Sequence, residues 1–582
     1  MQRIEALDVV RGFALLGIFM MNIEFFNRPF TSFNEGMPRG LTGADWWASW
    51  FVNYFVQGKF WTIFSLLFGM GFAVMMVRAE QSGREFKRVY LRRVLALAVF
   101  GAAHFIFLWD GDILFTYAVA ALMLMVVLYG RPKPLLLSIV VIAGLGAIPD
   151  MDNLLAVAAG LAVAGLLALY LRNERRLLWF GRLIGDKTGV PIFCALLLGI
   201  GLGLCVAAGV MWAMPDAPVR VRRLLSVFGP LVLLMGWLSY KYHDPVEKRP
   251  LRLAVSLYLF LAVVMTSSGV LQRFMPDTDA PLLAAAAAAA AASQGSAPAA
   301  ASPGAAAAAA PPGSAAAAAS PDSADGPANA KAALADDKPR KTPTEKAQER
   351  KAEREESLAE RQKDKAEELR VLTQGSYAQA VDWRARMFLE KAAGDFASAL
   401  LFLGMFMLGM WFVRSGVMEK TADHLLLFRK LALVGLPIGI AIGLAGSAIA
   451  MSHTPGDRYD GWGIARGLLM LGNLPACLGY VGLVVLMLHS RGLLAHIKVL
   501  APMGRMALTN YLLQSLICAI YFHGYALGHW GMPRAQQLLF VVLVYAAQLA
   551  FSHWWLARFR YGPMEWLWRG FTYRQTPKFR VS

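Results

Sequence analysis

The chain has 582 residues, 57% of them hydrophobic, and its mean hydropathy is +0.47. Apolar runs of about 17–25 residues recur along it, which excludes a soluble globular protein and predicts an all-α polytopic transmembrane helical bundle of about 10–14 spans. The net charge of +18 falls in short loops between the runs, so it reads as membrane orientation and excludes nucleic acid as a partner.

The first run opens on an acid and a base. Leu7-Asp8-Val9-Val10-Arg11-Gly12 leads directly into apolar residues 13–23, and the three-residue spacing sets Asp8 and Arg11 on one helical face. Charge at the edge of a lipid-embedded helix is costly, so the pair is a functional candidate. The length of the run and the lack of a small-residue cleavage site argue against a cleavable signal peptide. Hydropathy places spans near 7–26, 52–77, 94–109, 113–129, 134–149, 153–171, 190–213, 224–241, 253–271, 396–413, 431–450, 464–488, 506–523 and 536–557. Basic loops at 78–93, 131–133, 172–187, 241–252, 414–430 and 491–505, with the tail from Arg558, all fall on the cytoplasmic side if both termini are cytoplasmic. The loop with Arg220, Arg222 and Arg223 dissents.

Residues 272–395 form one long hydrophilic insertion, extracytoplasmic by the same parity. Its first half is Ala/Pro/Ser/Gly low-complexity sequence, with an alanine run at 284–292, and is expected to be disordered or locally helical. Residues 341–370 mix Lys, Arg and Glu at helical spacing and read as a solvated single helix, polar all round, with a linker role and no chemistry. The expected organisation is transmembrane helices over 1–149, additional ones over 150–271, a linker over 272–374, a C-terminal transmembrane domain over 375–575 and a tail over 576–582. The four cysteines (Cys194, Cys205, Cys477, Cys518) lie inside apolar spans without metal spacing and read as core packing.

Three blocks of sequence carry a resemblance. The first is LDVVRGFALLGIFMMNI (7–23) with QGKFWTIFSLLFGMGFAVMM (57–76). The second is RRVLALAVFGAAHFIFLWDGDILFTYAVA (92–120). The third comprises LGMFMLGMWFVRSGV (403–417), GRMALTNYLLQSL (504–516) and YGPMEWLWRGFTY (561–573). In this order they resemble the YeiB-like family of bacterial inner-membrane proteins, defined by domain of unknown function 418. The resemblance covers roughly 1–149 and 375–575, and the stretch 150–370 departs from the family's pattern. More distantly, the D-x-x-R-G start is similar to transmembrane acyltransferases such as heparan glucosaminide acetyltransferases and sugar O-acyltransferases. That likeness implies an acyl group taken from a cytoplasmic thioester and passed to a lipid, glycan or small-molecule acceptor, with acyl-CoA as co-substrate and no bound cofactor.

Acyl transfer needs a base, and histidine is the commonest choice. Of nine histidines, His104 is the best candidate, inside the third span in Gly101-Ala102-Ala103-His104-Phe105. Asp110 and Asp112 follow in Trp109-Asp110-Gly111-Asp112, and Asp112 folded back would fix the imidazole tautomer. A bland alternative is a hydrogen bond from His104 to a neighbouring helix. Asp8 and Arg11 either bind a polar substrate or cancel each other's charge. The loop from Arg84 to Arg93, with Arg92 and Arg93, either binds the phosphates of the donor or serves orientation alone. Lys59, at the outer start of the second span, snorkels to headgroups or contacts an acceptor. Thr509-Asn510-Tyr511 with Gln514 gives one helix face hydrogen-bonding groups, Asn510 being a binding candidate and interhelical bonds the default. The aromatic, basic tail around residues 563–569 suits an interfacial anchor.

No G-x-x-x-x-G-K-[ST], H-E-x-x-H or G-x-S-x-G motif is present, and Gly199-Ile200-Gly201-Leu202-Gly203 lies within a span, where helix packing explains it. Three function classes remain. The first is an acyltransferase with His104 as base and the Asp8/Arg11 face lining a polar tunnel. The second is a secondary transporter, whose expected internal repeat is not seen. The third is a non-catalytic membrane scaffold built around the long loop.

Overall fold

The structure is a computed structural model of the chain. It describes residues 4–33, 35–148, 151, 153–177, 183–184, 189–214, 219–274, 279–295, 342–454, 457 and 459–581. It is 82% helical. The helices in chain order are α1 (Glu5–Asn22), α2 (Gly43–Phe51), α3 (Lys59–Ser82), α4 (Phe86–Phe107), α5 (Leu114–Tyr129), α6 (Pro132–Gly146), α7 (Asn153–Arg172), α8 (Ile192–Ala213), α9 (Val219–Lys241) and α10 (Arg249–Phe274). They continue as α11 (Asp279–Gly295), α12 (Pro343–Gln374), α13 (Tyr377–Arg414), α14 (Leu425–Lys430), α15 (Leu436–Ala450), α16 (Trp462–Leu488), α17 (Ala501–Arg505), α18 (Ala507–Phe522), α19 (Arg534–Leu556) and α20 (Pro563–Tyr573). Between α7 and α8, three two-residue strands pair antiparallel, with the first in sequence at the centre.

Among the described residues, eleven helical runs are long and apolar enough to cross a bilayer, and α5, α6 and α18 are shorter apolar helices. Each of the fourteen expected spans falls on one of these fourteen elements. Large apolar side chains such as Leu136 and Val140 on α6, Leu202 and Val206 on α8, and Leu539 and Leu543 on α19 point outward. That distribution requires an apolar solvent, so the chain is a multi-pass membrane protein.

Two compact units divide the chain: residues 1–274 with 364–582, and residues 275–363. In the smaller unit, Arg350 grips both carboxylate oxygens of Asp279 at 2.7 and 3.1 Å. Residues 296–341, most of the low-complexity half of the insertion, lie outside the described residues, as do Arg182 and Lys187 of one basic loop. The alanine run at 284–292 is helical, in α11.

Small residues set the packing of the larger unit. A Cβ on Gly69 of α3 would lie 2.0 Å from the Phe406 carbonyl oxygen of α13, and one on Gly409 of α13 would lie 2.0 Å from that of Leu66. Backbone therefore meets backbone, the usual way two apolar helices associate in lipid. A Cβ on Gly504 would come within 1.8 Å of the Asp8 carbonyl oxygen, so α17 lies directly against the first turn of α1. Helix α13 begins at a capping box, with Ser376 Oγ accepting from Gln379 N–H at 3.3 Å and Gln379 Oε1 accepting from Ser376 N–H at 2.9 Å. Its 38 residues reach about 57 Å, far past the expected span at 396–413.

Candidate functional site

The starts of α1, α4 and α18, the end of α3, the top of α5, α17 and the terminal α20 enclose a cavity of about 700 Å³. Its charged end carries seven arginines, Arg11, Arg78, Arg84, Arg93, Arg505, Arg560 and Arg569, against three carboxylates, Asp8, Glu85 and Glu565. The carboxylates have structural partners. Arg11 donates to Asp8 Oδ1 at 3.2 Å and to the Gly504 carbonyl at 3.3 Å. Glu85 meets Arg88 at 3.4 Å. Glu565 accepts from the Leu508 and Thr509 N–H groups at 2.7 and 3.1 Å, and from the Thr509 hydroxyl at 2.5 Å, so it caps α18. Seven guanidinium groups against three carboxylates leave this end of the cavity electropositive.

Helix α20 closes one wall. The Arg93 guanidinium stacks 3.7 Å over the Trp568 ring, while the Trp568 indole N–H donates to the Arg93 carbonyl at 3.0 Å. The tail expected to be only an interfacial anchor is thus part of the cavity, contributing Glu565, Trp568, Arg569 and Tyr573. Away from the arginines the lining turns apolar, through Leu67, Phe68 and Leu97, and ends at Ile113, Tyr117 and Tyr511.

Behind that end lies the histidine. His104 Nδ1 stands 2.8 Å from Asp112 Oδ1, both side chains being almost fully buried. Asp112 folds back because its other oxygen accepts from the Phe115 N–H at 2.9 Å, capping the first turn of α5. Gly101 lets this happen: a Cβ there would sit 2.3 Å from Phe115 N and 3.0 Å from Asp112 Oδ2. An ionised carboxylate only accepts, so a neutral imidazole paired with it carries its hydrogen on Nδ1 and its lone pair on Nε2. Nε2 is buried with no hydrogen-bond partner among the described residues. The Tyr511 ring lies 5.1 Å from the imidazole, and its hydroxyl likewise has no acceptor there. His104 does not line the cavity, whereas its neighbour Tyr511 does.

On the far side of His104, the turn at 108–112 opens onto a second polar cluster. Trp109 packs 6.3 Å from the imidazole and stacks on Phe26 at 4.6 Å. Asp110 faces Glu368, which belongs to the last turns of α12. Glu368 is 1% exposed and accepts from the Phe30 and Thr31 N–H groups at 2.5 and 3.1 Å. Arg384 of α13 donates to the Ile106 and Leu108 carbonyls at 2.9 and 3.2 Å. Burial and the neighbouring Asp110 push the Glu368 carboxyl up to about 8, and burial raises that of Asp110 although Arg384 opposes it. Burial and Arg384 push His523 down to about 3, its Nδ1 lying 2.6 Å from the Tyr525 hydroxyl. The charged helix read as a linker without chemistry therefore ends in a buried acid.

Several expected contacts change. Arg93 reaches the cavity but Arg92 does not, because adjacent residues on a helix point about 100° apart. Lys59 does not snorkel: it is fully buried and donates to the Tyr54 carbonyl at 2.6 Å. The helical run containing it begins at Gly43, well ahead of it, and residues 52–56 make a π turn that supplies that carbonyl. Asn510 lies off the cavity and joins α18 to α19 through Ser552 at 3.0 Å, alongside a Gln514–Gln548 bond at 3.0 Å. Tyr511 was expected only as part of a hydrogen-bonding helix face, and Arg505, Arg560 and Arg569 only as parts of a basic loop and tail. A basic tail and a tyrosine in an apolar helix carry no mark of what they face. Among the described residues no group of three His, Cys, Asp or Glu side chains could hold a metal ion.

Residues 412–575 match the model of a family described as a protein of unknown function, DUF418. That stretch contributes Arg505, Tyr511, Glu565, Trp568 and Arg569 to the cavity wall. The chain is 24% identical over 579 residues to the uncharacterized protein YxaH of Bacillus subtilis (strain 168), covering 98% of this chain and 94% of that one. It is 38% identical over 178 residues to the uncharacterized protein YeiB of Escherichia coli (strain K12), covering 29% of this chain and 44% of that one. It is also 38% identical over 124 residues to an uncharacterized 39.9 kDa protein in the amylase 3′ region of Bacillus acidopullulyticus, covering 21% of this chain and 34% of that one. No solved structure matches the chain.

Proposed function

We propose that this chain, a YeiB-like DUF418 protein, is a transmembrane acyltransferase that moves an acyl group from acyl-CoA to a hydroxyl- or amine-bearing acceptor. In this reading the arginine-lined end of the cavity faces the cytoplasm of a bacterial inner membrane, with both termini, an orientation that the basic loops favour. The arginines hold the donor's phosphates and the apolar stretch takes its thioester arm.

His104 is the base. Its Nε2 takes the proton from the acceptor hydroxyl as that oxygen attacks the thioester carbonyl carbon. The carbon–sulfur bond breaks, and the departing thiolate takes the proton back from the imidazolium, so His104 ends as it began. Asp112 holds the ring in the required tautomer and offsets the imidazolium charge. The observation carrying the proposal is the buried His104–Asp112 pair with Nε2 unpartnered, set behind the closed end of a cationic cavity.

The test is transfer of labelled acetyl from acetyl-CoA to membrane lipids and glycans by purified protein in bilayers. Wild type is expected to transfer label and His104→Ala to lose at least about a hundredfold. Transfer that survives the substitution overturns His104 as the base. Absence of transfer to any acceptor, with uptake of substrate into proteoliposomes, overturns the acyltransferase reading in favour of a transporter.

A further inference from the structure

Two buried polar groups sit on neighbouring rings 5.1 Å apart: Nε2 of His104 has no hydrogen-bond partner among the described residues, and the Tyr511 hydroxyl, which meets the Ile113 backbone N–H, has no acceptor for its own proton there. Leaving hydrogen-bonding capacity unused in a buried place is costly, and water cannot relieve the cost cheaply inside a membrane. Their characters are complementary. Nε2 offers a lone pair, since its partner nitrogen serves Asp112, and the phenol offers a proton. Only Tyr511 of the two borders the cavity, and it is 4% exposed.

Tyr511 is also held firmly. The start of its helix is capped by Glu565, and Gln514 and Asn510 on either side tie α18 to α19. A donor on a fixed helix, aimed at the spot where charge develops, stabilises a transition state without reorganising.

Resting on the acyltransferase reading above, we propose that Tyr511 is a second catalytic residue, whose hydroxyl donates a hydrogen bond to the thioester carbonyl oxygen at the closed end of the cavity. During attack that oxygen gathers negative charge, and the phenol proton stays on Tyr511 throughout. Nε2 faces the acceptor's proton while Tyr511 faces the donor's oxygen, which divides the two groups between the two substrates.

The test pairs turnover with binding. Tyr511→Phe keeps the ring and its packing and removes only the hydroxyl. It is expected to lower kcat by about 10²–10³-fold with KM for acetyl-CoA changed far less. In binding measurements, acetyl-CoA is expected to bind the variant several-fold more weakly than wild type. Ethyl-CoA, a thioether without the carbonyl, is expected to bind both alike. Wild-type binding and turnover, with a variant equal to wild type in both, overturns the assignment of Tyr511 while leaving the acyltransferase reading standing. A wild type that binds neither compound overturns both. An equal loss of ethyl-CoA and acetyl-CoA binding shows a packing role and overturns the hydrogen bond.

Discussion

His104 separates two polar regions that differ in one respect. The arginine-lined region is open, about 700 Å³ in volume, and its guanidinium groups outnumber its carboxylates seven to three. The region around Asp110, Glu368, Arg384 and His523 is buried and holds charges of both signs, with Arg384 Nη2 and His523 Nε2 lacking a hydrogen-bond partner among the described residues. There one buried guanidinium faces two buried carboxyls, and burial raises both above the usual carboxylate range, with Asp110 adding to the rise of Glu368. The lesson is that an excess of one charge around a cavity leaves room for a counter-charge, whereas a buried cluster of both signs serves to hold segments together. Here it joins residues 30–31, 108–110, 368 and 384.

The contrast breaks most sharply at the cavity. Arg569→Ala removes one of the arginines lining it and is expected to raise KM for acyl-CoA roughly tenfold or more, the worth of a charge-assisted hydrogen bond. Arg92→Ala, one residue from Arg93 but off the cavity, is expected to stay within about twofold. Equal effects in steady-state kinetics would place the donor elsewhere. Gly101→Ala tests the scaffold between the regions. Its Cβ would strike the first turn of α5, so unfolding in detergent should show a loss of about 1–3 kcal/mol, together with loss of the Asp112–His104 bond.

The smallest effect lies in the buried cluster. Glu368 binds its proton more tightly in the fold, at about 8, than at its ordinary 4.5. Its stabilising contribution is therefore complete below pH 4.5 and is lost as pH rises through about 8. Wild-type melting temperature is expected to fall across that window, and Glu368→Gln to flatten the slope. An unchanged slope would mean that Glu368 is already ionised at neutral pH.

Much of this was readable from residues alone, for physical reasons. Apolar runs of bilayer length declare themselves, so all fourteen helical elements were expected where they lie. Asp112 was legible as a partner of His104 because a carboxylate just past a helix end can both cap the next helix and turn back. Lys59 misled because snorkelling presumes an interface at its end of the helix, while the helical run actually starts at Gly43. Glu368 was hidden by its setting: in a segment where nearly every residue is charged, pattern cannot mark the one that is buried. Tyr511 and α20 acquire meaning only through tertiary contact, from residues hundreds of positions away.

The most direct test of the central claim is an electron cryo-microscopy structure of the full chain in a lipid nanodisc with acetyl-CoA. The account predicts phosphate density among Arg93, Arg505 and Arg569, and a thioester carbonyl within hydrogen-bonding distance of the Tyr511 hydroxyl, next to His104. Density for the nucleotide elsewhere, or a cavity filled by lipid at saturating acetyl-CoA, would contradict it.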